Sequence, residues 1–203
     1  MADLAALRAV LAREAARRAR TGQLPGTVLP RLRLLTTAEL LCPGAPPARA
    51  ADAAGELAAL CAALGQMLRR PAGWLAADLP PGPLPVLVRP ALLHGAVLCW
   101  LRGALAGGAA AVRLCCQPAG GAAVLQLLGC GMAGDAAALW RRLAAEAGGH
   151  AVFLAGRTAG AAARLPAADG LPVRPVPAPA DLLADRYSLP RLYLDGFCAE
   201  PER

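Results

Sequence analysis

"LQLLGCGMAGDAAALWRRLAAEAGGHAVFLAG", residues 125–156, decides how the chain folds. Leu125, Leu127 and Leu128 open it as an apolar strand, which Gly129, Gly131 and Gly134 interrupt. Leu139, Trp140 and Leu143 then recur at helical spacing, Gly148 and Gly149 end that helix, and residues 151–154 resume the apolar run. Strand, glycine turn, helix and strand in that order predict a sheet with helices packed on it. Glycines where a strand hands over to a helix N-terminus also present backbone N–H groups to an anion. No Lys, Ser, Thr or Asp accompanies them before Asp135.

Reading outward, "LPVLV" (84–88) is a strand and 90–106 a helix; "AAVRLCC" (110–116) and "AAVLQLL" (122–128) are strands joined by "QPAGG". Downstream, "HAVFLAG" (150–156) and "AAARLP" (161–166) form a closing hairpin around "RTAG". The order β-α-β-β-α-β-β predicts an α+β fold with a mixed sheet and helices on one face.

Residues 1–70 read as helices. Leu4, Leu7 and Leu11 recur at helical spacing, and so do Val28, Leu32 and Leu35, with Thr27 as N-cap and Pro30 in the first turn. "CPGAPP" (42–47) forces a turn, and a helix over 49–70 follows with Leu57, Leu60, Cys61, Leu64, Met67 and Leu68 in one stripe. An antiparallel helical hairpin is expected, self-associating into a homodimer through Leu57, Leu60, Leu64 and Met67. The competing arrangement folds the hairpin back on its own domain, helped by the tail around Tyr187 and Tyr193. Domain limits follow: a hairpin over 1–70, an α/β unit over 71–168, and a proline-rich linker and tail over 169–203. In the last, "LPVRPVPAPA" (171–180) favours an extended polyproline segment, and the residues after it carry both tyrosines and are expected to dock.

Composition sets bounds. The chain's 203 residues allow one ordinary domain or a small one with a helical appendage. It has no Lys, Asn or Ile and only one serine, Ser188, the mark of a very G+C-rich, bacterial-type coding sequence. Its net charge of +7 therefore says little about partners. Arg, Gly or Pro interrupts every apolar run before the roughly 18 residues of a membrane span, and the N-terminus lacks a signal peptide's order. A cytoplasmic chain is expected. Its seven cysteines form no C-x-x-C pair and no metal-binding set, so buried free thiols are expected.

The layout resembles the core of a two-component sensor histidine kinase, a hairpin followed by a histidine-kinase-like (GHKL) ATPase domain. "LPVLVRPALLHGAVLCWLRGALAGGAA" resembles the family's strand, helix and asparagine box, and "LLGCGMAGD" resembles its D-x-G-x-G box. "GRTAGAAARLP" resembles its closing G-x-G-T motif. The resemblance implies a nucleotide site at Gly103, Gly129, Gly131 and Gly134. It also shows what is changed. Gly103 stands where the family has its magnesium-binding asparagine, Gly129 where it has the adenine-binding aspartate, and the long lid before the next helix is absent. No catalytic residue, metal ligand or cofactor is therefore assigned. The hairpin has no histidine to accept phosphate; His94 and His150 both lie in the ATPase-like region. A sporulation phosphorelay phosphotransferase shares this architecture, a hairpin with a domain that binds no ATP.

The expected function is a degenerate, ATP-incompetent protein-interaction module of two-component signalling, with a second copy and a response regulator or kinase as partners. The alternative is a divergent sensor histidine kinase or phosphotransferase that still binds nucleotide or transfers phosphate. Arg13, Arg17 and Arg20 share a helical face and are the partner-binding candidates. No aromatic interleaves with them, which argues against nucleic acid.

Overall fold

The structure, a computed structural model, describes residues 4–20, 28–42, 49–156 and 159–198. Thr27, the turn residues 43–47 and the first two residues of the "RTAG" turn, 157 and 158, lie outside the described residues. Helix α1 (Leu4–Arg20) and helix α2 (Val28–Leu41) form the hairpin. Ala15, Val28 and Leu32 are buried together in its seam, with Leu192 from the tail among them.

The helix expected over 49–70 divides. Its first residues form β1 (Arg49–Asp52), antiparallel to β3 (Pro85–Val88), and the remainder is α3 (Ala53–Met67). Alanine-rich sequence favours helix locally, yet cross-strand pairing overrides that preference here. Asp52, at the N-cap of α3, makes no cap hydrogen bond; its Oδ1 accepts from the Leu84 N–H at 2.8 Å instead.

The main sheet runs β2-β4-β5-β7-β6, where β2 is Leu75–Asp78, β4 Val112–Pro118, β5 Ala122–Leu128, β6 His150–Leu154 and β7 Gly160–Pro166. β2 runs parallel to β4 and every other neighbour is antiparallel, so the sheet is mixed as expected. Residues Ala123, Leu125 and Leu127 of β5 and Ala161, Ala163 and Leu165 of β7 alternate inward and are buried. Helices α4 (Pro90–Ala106) and α5 (Gly134–Glu146) share the core with that face, Trp100 and Trp140 being almost wholly enclosed. Gly160 is required at its position because a Cβ there would overlap the Leu127 carbonyl of β5.

Two expectations are corrected. Leu57, Leu60, Leu64 and Met67 are 0%, 0%, 1% and 6% exposed. They sit in the main core with the inner residues of α4 and the sheet, so this stripe is covered within one chain and offers no surface to a second copy. The boundary at residue 70 moves with it: β1 and α3 belong to the α/β unit, and the hairpin is α1 and α2 alone. The tail docks as expected. Helix α6 (Pro179–Ala184) lies on α3, and α7 (Leu189–Tyr193) lies on α4 and α2. No helix among the described residues is long and apolar enough to cross a membrane.

This placement fixes what Leu60 does. Leu60→Ala is expected to cost about 2–5 kcal/mol by urea denaturation, and Leu60→Arg to prevent folding instead of releasing soluble monomers; a folded Leu60→Arg chain would contradict the assignment.

Candidate functional site

The four glycines singled out by the sequence are all exposed, around one corner of the α/β unit. Gly103 lies on α4; Gly129 and Gly131 lie in the loop from β5 to α5, and Gly134 starts α5 at φ +53°. The Trp100 indole N–H donates to the Cys130 carbonyl at 3.1 Å, fastening that loop to α4. Gly129 has its own backbone reason. Its φ is +108°, and a Cβ would come 2.6 Å from the Ala111 carbonyl oxygen. The loop runs from Leu128 to Gly134 with no inserted segment.

Beside this corner, a cleft of about 230 Å³ lies where α2, α4, α5 and α7 meet, lined by Arg33, Thr37, Cys99, Arg102, Asp135 and Tyr193 among others. Tyr193 is fully buried, its hydroxyl 2.7 Å from Thr37 Oγ1. Thr37 Oγ1 donates to the Arg33 carbonyl at 3.0 Å, so the Tyr193 O–H is left as donor to Thr37. Burial pushes the Tyr193 phenol well above its ordinary value. Arg102 Nη1 donates to the carbonyls of Tyr193 at 2.8 Å and Asp195 at 3.3 Å, and its guanidinium lies 5.7 Å over the Phe197 ring. Burial first, and the neighbouring Arg33 charge second, lower the Arg102 pKa. Both arginines are thus turned to the C-terminal carbonyls of α7, Arg33 reaching Leu192 at 3.5 Å.

The histidines are elsewhere. His94 is 4% exposed on α4, its Nε2 3.1 Å from Oε2 of Glu56 on α3, which is 1% exposed. The two atoms sit off the ideal hydrogen-bond line, and neither has another partner among the described residues. His150 is exposed at the start of β6, opposite Arg164. On α1, Arg13 and Arg17 are exposed, Arg17 paired with Glu14 at 2.8 Å, while the side chain of Arg20 lies outside the described ones. Among the described residues no three His, Cys, Asp or Glu side chains are grouped to hold a metal ion.

Sequence reasoning missed the arginine that joins these parts. Arg89, 8% exposed, gives Nε and Nη2 to the two carboxylate oxygens of Glu146 at 2.8 and 2.6 Å, and Nη2 also to the Leu40 carbonyl at 2.7 Å. Arg142 pairs with the same carboxylate at 2.8 Å. The available signal was an arginine directly before Pro90, at a strand-to-helix junction where a surface side chain has little room.

The chain is similar to the histidine kinase domain of the E. coli osmosensor EnvZ, at 17% identity and a TM-score of 0.46, over 68% of this chain and 97% of that one. It is similar also to the Acinetobacter baumannii histidine kinase AdeS, at 12% identity and a TM-score of 0.47, over 80% of this chain and 96% of that one. No protein-family model matches the chain, and neither does any curated protein.

The thiols give a pH test of this packing. Burial pushes Cys61 and Cys99 up to about 11 and Cys116 to about 12. At pH 8 roughly one in a thousand of the Cys61 and Cys99 thiols, and fewer at Cys116, is thiolate. Native protein is expected to leave these three unlabelled by iodoacetamide at pH 8, with labelling rising as pH climbs toward 11, and to label fully once denatured; ready native labelling by mass spectrometry would refute their burial.

Proposed function

We propose that this is a histidine-kinase-like protein of two-component signalling that works by binding other proteins and not by phosphoryl transfer. The observation that carries the reading is the chain's own α7 packed on α2 and α4 as a wall of the cleft, with Tyr193 enclosed and Arg102 spent on backbone carbonyls. Phosphoryl transfer rests on positioned charge around a metal-bound phosphate. The residues at this corner do not fit such a group. Gly103 offers no ligand, the loop has no carboxylate before Asp135, and Asp135 lines a cleft it shares with Arg33 and Arg102.

A second copy is the first partner. With the α3 stripe internal, the hairpin still carries an apolar surface, where Leu7, Val10 and Leu34 are 49%, 53% and 64% exposed along a hollow between α1 and α2. Pairing two hairpins there about a two-fold axis closes a four-helix bundle. A response regulator or kinase is the second class of partner, and the exposed Arg13 and Arg17 are the side chains offered to it.

Two measurements test this. Millimolar ATP or ADP with Mg²⁺ is expected to leave the melting temperature unchanged; a ligand at 100 times its Kd adds about 2.7 kcal/mol, so a rise of several degrees would establish a working nucleotide site. Light scattering at tens of micromolar is expected to give a dimer mass that Leu34→Arg reduces to monomer without loss of helicity; a monomeric parent chain would remove the bundle.

A further inference from the structure

A second cavity, of about 390 Å³, lies between the end of α2, the β1–β3 pair and the start of α4, and shares no lining residue with the cleft around Tyr193. Its size is that of a small-molecule site. The floor is apolar, formed by Ala50, Ala51 and Val88 at 4%, 1% and 0% exposure. The rim is cationic. Arg49 opens β1, and Arg174 is brought beside it by a parallel bridge to Ala51 and a 3.2 Å hydrogen bond from its own N–H to the Ala50 carbonyl. Both arginines are exposed, and neither has an ion-pair partner among the described residues.

The other charges in the lining are already answered. Arg89 is held by Glu146 at 2.6 Å and Glu39 by Arg8 at 2.7 Å, so Arg49 and Arg174 remain as an uncompensated excess. Two like charges kept beside one hollow repel each other unless an anion joins them. The backbone adds a donor there. Pro90 has no N–H and the N–H groups of Leu92 and Leu93 go to the Arg89 carbonyl, which leaves that of Ala91, a cavity residue in the first turn of a long helix.

We infer that this cavity binds a small organic anion, its apolar body on Ala50, Ala51 and Val88 and its carboxylate or phosphate between Arg49 and Arg174. Carboxylate and phosphate heads share this chemistry, and the test separates them. The full chain is titrated calorimetrically with octanoate, octyl phosphate and neutral 1-octanol. At least one anion is expected to bind saturably, with octanol at least about tenfold weaker. The double variant Arg49→Gln/Arg174→Gln is expected to weaken the anion at least about tenfold with its unliganded melting temperature unchanged, since both side chains are exposed. Ala91→Trp, which fills the cavity from an exposed lining position, is expected to abolish binding. Octanol as tight as the anions, no saturable heat from either anion up to about millimolar concentration, or undiminished binding in either variant would overturn the inference.

Discussion

The arrangement depends on one buried guanidinium. Arg89 stands where β3 ends and α4 begins, and it holds the carboxylate of Glu146 at the end of α5 and the carbonyl of Leu40 at the end of α2. A cation suits the second contact, because the C-terminal turn of a helix presents unpaired carbonyls and negative partial charge. Glu146 on its own would be badly placed, a carboxylate at the wrong end of α5, and Arg142 and Arg89 together reverse that. A buried pair of this kind adds little net stability over apolar packing, but removing one partner strands a charge at about 3–5 kcal/mol. Its value is geometric. Three helices and a strand end have their relative positions set by one residue.

The hairpin is then fastened a second time, from the other end of the chain. Gly95 on α4 leaves the space that Leu40 fills, its missing Cβ being 2.5 Å from Leu40 Cδ1, and the Tyr193 hydroxyl lies 3.9 Å from the same point. Tyr193 and Thr37, 156 residues apart, close the contact with a buried hydrogen bond. Leu192 joins the α1–α2 seam while Leu194 joins the main core, so the short segment around α7 belongs to both. A catalytic cycle that carries a group from one unit to the other needs its reacting atoms about 3–3.5 Å apart at the decisive step. Here tail residues of the same chain pack on both α2 and α4, and Tyr193 walls the cleft beside the glycine corner. That packing ties α2 in place, in keeping with the proposed loss of chemistry.

Much of the sheet was legible in the sequence. Strands β5 and β7 alternate, α4 and α5 carry apolar stripes with glycine after them, and each falls close to where its pattern predicts. β1 and β2 were not legible, since "RAAD" and "LAAD" carry no alternation and alanine serves either state. The stripe on α3 was read correctly as apolar and wrongly as surface, because periodicity reports that a face is covered and not by what. The site was harder still. Arg89, Arg102 and Tyr193 gain their meaning from partners 49 to 156 residues away, and no local pattern records such distances.

The glycines show how one residue answers to two explanations. Gly129 was read as the remnant of an adenine-binding position, and the resemblance that suggests this concerns residue type at a motif position. In space the same glycine is demanded by a positive φ and by the Ala111 carbonyl 2.6 Å from where its Cβ would be. Gly103 and Gly131 have nothing within 4 Å of where a Cβ would sit and so carry no such backbone requirement. Gly134, at φ +53°, joins Gly129 in the left-handed region, so of the four these two answer to the backbone, and their residue type is explained by the turn into α5 without any ligand.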